Sequence, residues 1–73
     1  MKKRMIEKYT YRIEWSEEDQ IHVARCLEFP SLTAHGKTVE AALKEIKHVV
    51  TETIKSLIEE NQSVPEPRSL KES

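Results

Sequence analysis

Between Val39 and Leu57 the apolar residues fall along one side of a helix: Val39, Ala42, Leu43, Ile46, Val49, Val50, Thr53, Ile54 and Leu57 recur at spacings of three and four. In a chain of 73 residues a stripe this long constrains everything else. It has to be covered, and the rest of the chain must supply one apolar surface wide enough to cover it. A domain this short buries only about 60% of its unfolded surface, so there is no room for a second core. The helix is predicted to run from about Val39 to about Glu60, with Asn61 as its stop. Glu40 with Lys44, and Lys55 with Glu59, are four-apart pairs on its wet side.

The covering surface lies upstream, where the period is two. In "YTYRIEW" the residues Tyr9, Tyr11, Ile13 and Trp15 share one face while Thr10, Arg12 and Glu14 share the other. The polar run Ser16 to Gln20 reads as a turn, and "IHVARCL" reads as the returning strand of a hairpin. Setting Trp15 opposite Ile21 places Ile13 by Val23, Tyr11 by Arg25 and Tyr9 by Leu27, with the apolar residues together. The helix is then expected over Tyr9, Tyr11, Ile13, Trp15, Ile21 and Val23. Pro30 removes a backbone donor and is expected to break the ladder, so a short third strand is placed at "LTAH". After the helix, "QSVPEP" has room for a short fourth strand around Val64. The fold class is therefore α+β: a three-stranded antiparallel sheet backed by one long helix, in a single domain, residues 1–73, with 1–7 and 68–73 as flexible tails.

The single glycine sits where the period changes, in "AHGKTVEAALK". A phosphate-binding loop needs several consecutive inward N–H groups, usually built by several glycines. With one glycine the simpler reading is structural: Gly36 supplies a positive φ at the strand exit and Thr38 caps the helix.

Charge and composition narrow the function. Twelve Lys plus Arg against 13 Asp plus Glu leave a net charge of −1, which carries no basic footprint for nucleic acid. "MKKRM" reads as a solvated tail. One cysteine allows no internal disulfide, and no apolar run suggests a signal peptide or membrane span, so a cytoplasmic location is expected. No metal or cofactor is expected. His22 and Cys26 are four strand residues, about 13 Å, apart, too far to share an ion, and His35 and His48 add no ligand spacing. Cys26 has no evident base to activate it and reads as a small semi-buried side chain. Two-metal nuclease chemistry needs clustered carboxylates, but the first strand offers Tyr11 and Ile13 inward. Asp19, the only aspartate, belongs to the turn with Glu17 and Glu18. No catalysis is expected.

The order strand, hairpin, strand, a G-x-T helix start at Gly36 and Thr38 followed by Ala42 and Leu43, and finally "VPEP" from Val64 to Pro67 resembles the HicB-like antitoxin family over roughly Tyr9 to Pro67. The resemblance implies a truncated ribonuclease H-like fold, three antiparallel strands, a helix and a last strand. It also implies a protein that inhibits a small basic toxin ribonuclease of HicA type by binding it. The sequence departs from the family pattern at Ala41, where a glutamate would close a capping box, with Glu40 one place early. Longer members continue into a DNA-binding segment; six residues follow Pro67 here, so no DNA binding is expected of this chain alone.

Surfaces are then the working parts. Glu17, Glu18, Asp19 and Glu28 are the acidic candidates for a basic partner, with Phe29 and Leu32 as apolar anchors. Open sheet edges in so small a domain also predict a homodimer or higher oligomer, through Leu32, Thr33, Ala34 and Val64. The alternative to an antitoxin is a stand-alone homo-oligomeric scaffold with no toxin partner.

Overall fold

The computed structural model describes residues 3–67, and shows an α+β chain in the order α1 (Lys3–Lys8), β1 (Tyr11–Ser16), β2 (Ile21–Cys26), β3 (Phe29–Gly36) and α2 (Val39–Glu59). The three strands form one antiparallel sheet in the order β1-β2-β3. α2 lies chiefly across β3, then β2, and reaches β1 only at its margin. Its inward stripe is Ala42, Ile46, Val50 and Ile54, all fully buried, flanked by Leu43, Val49 and Leu57.

The ends of α2 follow from local chemistry. Thr38, with extended backbone at φ −127° and ψ 166°, accepts the Ala41 N–H on its side-chain oxygen and starts the helix. At the other end Asn61 takes φ 58°. The Asn61 N–H donates to the Ile58 carbonyl and the Gln62 N–H to Leu57, the two bonds of a Schellman stop. On the wet side Lys55 pairs with Glu52 at 3.7 Å, rather than with Glu59 as its spacing suggested.

The hairpin register differs from the expected one by a single residue. Ser16 pairs with Ile21, Trp15 with His22, Ile13 with Ala24 and Tyr11 with Cys26. Because side chains alternate, this slip reverses β2: His22, Ala24 and Cys26 face the helix, while Ile21 and Val23 face away. The reason is the turn. Ser16 belongs to the strand, leaving a four-residue loop that Gln20 closes at φ 55°. The Ser16 hydroxyl accepts the Asp19 N–H and donates to Asp19 Oδ2, and Gln20 Nε2 donates to the Glu17 carbonyl. The helix therefore does not cover Ile21 and Val23, and Trp15, at the end of β1, is 49% exposed.

Small residues make the inward face work. Ala24 and Ala34 are cross-strand partners under α2, and Gly36 lies so close to the helix that a Cβ there would stand 2.2 Å from the Ala42 nitrogen. Gly36 does not have a positive φ; it is required for close approach, not for a turn. β3 also begins earlier than expected. Phe29 already pairs with Cys26 across the Leu27–Glu28 turn, and Pro30 sits on the outer edge strand at the register irregularity beside Arg25 and Cys26.

Both ends of the described chain are tied to this core. Residues 3–7, expected to belong to a tail, lie in α1, with Ile6 buried and its carbonyl accepting the Tyr11 hydroxyl at 2.6 Å. Residues 62–67 carry no strand, so the fourth strand around Val64 is not formed. Instead Val64 packs against the core and the Tyr9 hydroxyl donates to the Pro65 carbonyl at 2.8 Å. The tail expected at 68–73 lies outside the described residues.

Candidate protein-binding surfaces

The six residues expected to meet a partner are not brought together. Glu17, Glu18 and Asp19 are exposed on the β1–β2 turn; Glu28 and Phe29 lie on the β2–β3 turn at the opposite end of β2. Six strand residues, about 20 Å, separate the two turns.

Glu28 points inward. It is 8% exposed and its carboxylate accepts the Thr10 N–H at 3.0 and 3.2 Å, with the Thr10 hydroxyl at 3.4 Å. The Cys26 thiol lies 3.5 Å from the same group. The carboxylate thus clasps the start of β1 to the second turn, helped by the Leu27 N–H donating to the Thr10 carbonyl. Phe29 is also interior, edge-on to Tyr9 with ring centroids 5.7 Å apart. Around this cluster burial raises the titration of Tyr9 and Tyr11, reinforced by the nearby Cys26 and Glu28 charges. Burial likewise pushes the Cys26 thiol up to about 11. Cys26 is fully buried and a poor nucleophile at neutral pH.

The acidic turn is the part left exposed. Glu17 is engaged locally, its Oε1 accepting Trp15 Nε1 at 2.8 Å and its Oε2 facing Gln20 Nε2 at 3.2 Å. Trp15 also meets His22 edge-on at 5.0 Å. The hairpin therefore holds three carboxylates and an exposed indole at one end of the sheet.

The residues expected at an oligomer contact are divided as well. Leu32 is half-buried and Ala34 buried beneath the helix, Thr33 is exposed on the other face, and Val64 packs on the core. Only the backbone edge of β3 is common to the first three.

Sequence reasoning missed the bare face of the sheet. Arg12, Glu14, Val23, Arg25, Thr33 and His35 lie opposite the helix, and an open groove of about 370 Å³ runs over this face to Ser16, Trp15 and Asp19. Its signal in the sequence was the alternation of Arg12 and Glu14 with Tyr11 and Ile13, but the misplaced register put Val23 on the inner side. Among the described residues no helix is long and apolar enough to cross a membrane, and no three of His, Cys, Asp and Glu are grouped to hold a metal.

Compared with known proteins, residues 8–73 match a family model described as HicB-like antitoxin of bacterial toxin-antitoxin system. No curated protein and no solved structure matches the chain.

Proposed function

The chain belongs to the HicB-like antitoxin family, and on that premise we propose that it neutralises a small basic ribonuclease toxin of HicA type by direct binding, in the cytoplasm and without catalysis. The observation that carries this reading is the family match over nearly the whole described chain. The acidic turn supports it. Glu18 and Asp19 are exposed at the tip of a hairpin whose loop is fixed by its own hydrogen bonds, so little ordering cost attends their use as contacts for a cationic surface. With a net charge of −1, long-range steering is weak. Affinity must then come from a local apolar anchor, and the exposed Trp15 beside the turn has the area and rigidity of one. Glu28 and Phe29, as placed here, hold the scaffold that presents this tip.

Co-expression with the product of the neighbouring short reading frame tests the reading. Rescue of growth and a stable complex on a sizing column are expected. Replacing Glu18 and Asp19 by Lys is expected to weaken that complex by about tenfold or more while leaving the fold intact. A non-toxic neighbour, or a toxic one that the chain does not bind, defeats the proposal.

A second reading, a homo-oligomeric scaffold without a toxin, is favoured by one feature. β3 is the outer strand of the sheet, so its edge from Leu32 to Ala34 can pair with another strand. Finding the protein associated only with itself in cells, with no toxic neighbour, would support this reading over the first.

A further inference from the structure

The bare face of the sheet has a pattern of its own. Across the strands its first row is Arg12, Arg25 and Thr33, and its second is Glu14, Val23 and His35. Arg12 and Arg25 are directly opposed, an arrangement of like charges that costs stability in an isolated sheet. Arg12 Nε is offset by Glu14 Oε2 at 2.9 Å. The Arg25 side chain is exposed and makes no hydrogen bond or ion pair among the described residues. Beside it Val23 is only half-buried, in the floor of the open groove, with no helix above it.

We propose that this face is the contact between two copies of the chain, related by a two-fold axis that lies in the face and crosses the strands between the two rows. A two-fold contact requires a surface that is complementary to itself, and here Arg12 matches Glu14 while the Arg25 stem matches Val23, its guanidinium reaching to water. The rotation sets each row over the other: Arg12 over Glu14 of the second copy, Arg25 over Val23, and Thr33 over His35. The two Arg12–Glu14 pairs then close into a ring of four alternating charges. The aliphatic stem of Arg25 covers the apolar centre that the fold leaves open. A wholly acidic partner would oppose Glu14 and a wholly basic one would oppose both arginines, whereas a second copy sets Arg12 against Glu14 twice. Three strands span only about 14 Å, so the contact is small and the dimer is a weak, reversible one. The inference does not rest on the antitoxin reading, since it needs no toxin.

Sedimentation equilibrium of the full chain tests it. A reversible monomer–dimer equilibrium in the micromolar range is expected. Arg12→Glu and Glu14→Arg, each at a side chain about half exposed or more, are each expected to weaken the dimer about tenfold or more, and the double variant carrying both is expected to restore it to within about threefold. Val23→Lys is expected to abolish it, with circular dichroism showing the fold retained in the charge variants. A chain that stays monomeric at all concentrations overturns the proposal. A dimer indifferent to Arg12→Glu, Glu14→Arg and Val23→Lys overturns it too, and a double variant that fails to recover removes the proposed pairing.

Discussion

Gly36 shows how much can depend on one missing methyl group. Its φ is ordinary, so substitution by alanine would restrict the unfolded chain and, in open space, stabilise the fold slightly. Here the new Cβ meets the Ala42 nitrogen at 2.2 Å and the Ala41 carbonyl carbon at 2.7 Å. Both are backbone atoms of a helix that cannot move without lifting Ile46 and Val50 off the sheet. Gly36→Ala is therefore expected to cost about 3 kcal/mol, the upper end of ordinary overpacking, read as a drop in the urea midpoint at constant slope. A variant as stable as the parent would show that α2 is not seated this closely.

Cys26 supplies the pH dependence at the same scale. Its thiol titrates at about 11 in the fold against 9.0 ordinarily, so the folded state favours the protonated form. The unfolded chain loses its proton first as pH rises. The thiol's contribution is thus complete below pH 9.0 and is lost as pH climbs through about 11. Tyr9 and Tyr11 are shifted in the same sense. Urea midpoints should fall between about pH 8 and about pH 10.5, and fall less steeply in Cys26→Ala. Equal slopes in the two proteins would contradict the assignment.

At the scale of elements, α2 was legible to within a residue because its stripe is long and both caps are written in the sequence, Thr38 before it and Asn61 after it. The strands were legible as strands, but their register was not. In "IHVARC" the larger aliphatic side chains, Ile21 and Val23, lie on the face that turned out to be bare. Ala24 and Cys26 are inside because the helix comes too near for anything bulky. That is a tertiary distance, which no alternation pattern records. The candidate surfaces suffered for the same reason: Glu28 is acidic and adjacent to a turn, and only the fold shows that its carboxylate closes onto Thr10. The same logic gives a prediction for the helix end. Asn61→Gly should be neutral or slightly stabilising, since glycine adopts φ 58° freely, whereas Asn61→Val should cost about 1 to 2 kcal/mol. Thermal unfolding of the pair, compared with the parent, checks the order.

For the whole molecule, the two proposed contacts share one hairpin, and the groove over the bare face runs up to Trp15, Ser16 and Asp19 beside the tip. The acidic tip at Glu18 and Asp19 stands beyond Ser16, while the paired-arginine row lies at the far end of β1 and β2. Taken together, the two proposals put the toxin at the tip and the second copy on the flat of the sheet.

The hydrogen bond from Tyr9 to Pro65 spans 56 positions, whereas every strand pairs with its neighbour in sequence and the helix settles mainly on the strand just before it. Such a meander can assemble progressively from one end to the other, so its rate-limiting barrier is crossed while most contacts are still local. The tether between the first and last turns of chain is then the final event. Tyr9→Phe, which removes only the hydroxyl, should leave the refolding rate within experimental error and speed unfolding about fivefold, the signature of an interaction absent at the barrier. Stopped-flow measurements in urea distinguish this from the opposite outcome, slower refolding with unchanged unfolding, in which the ends of the chain would meet first.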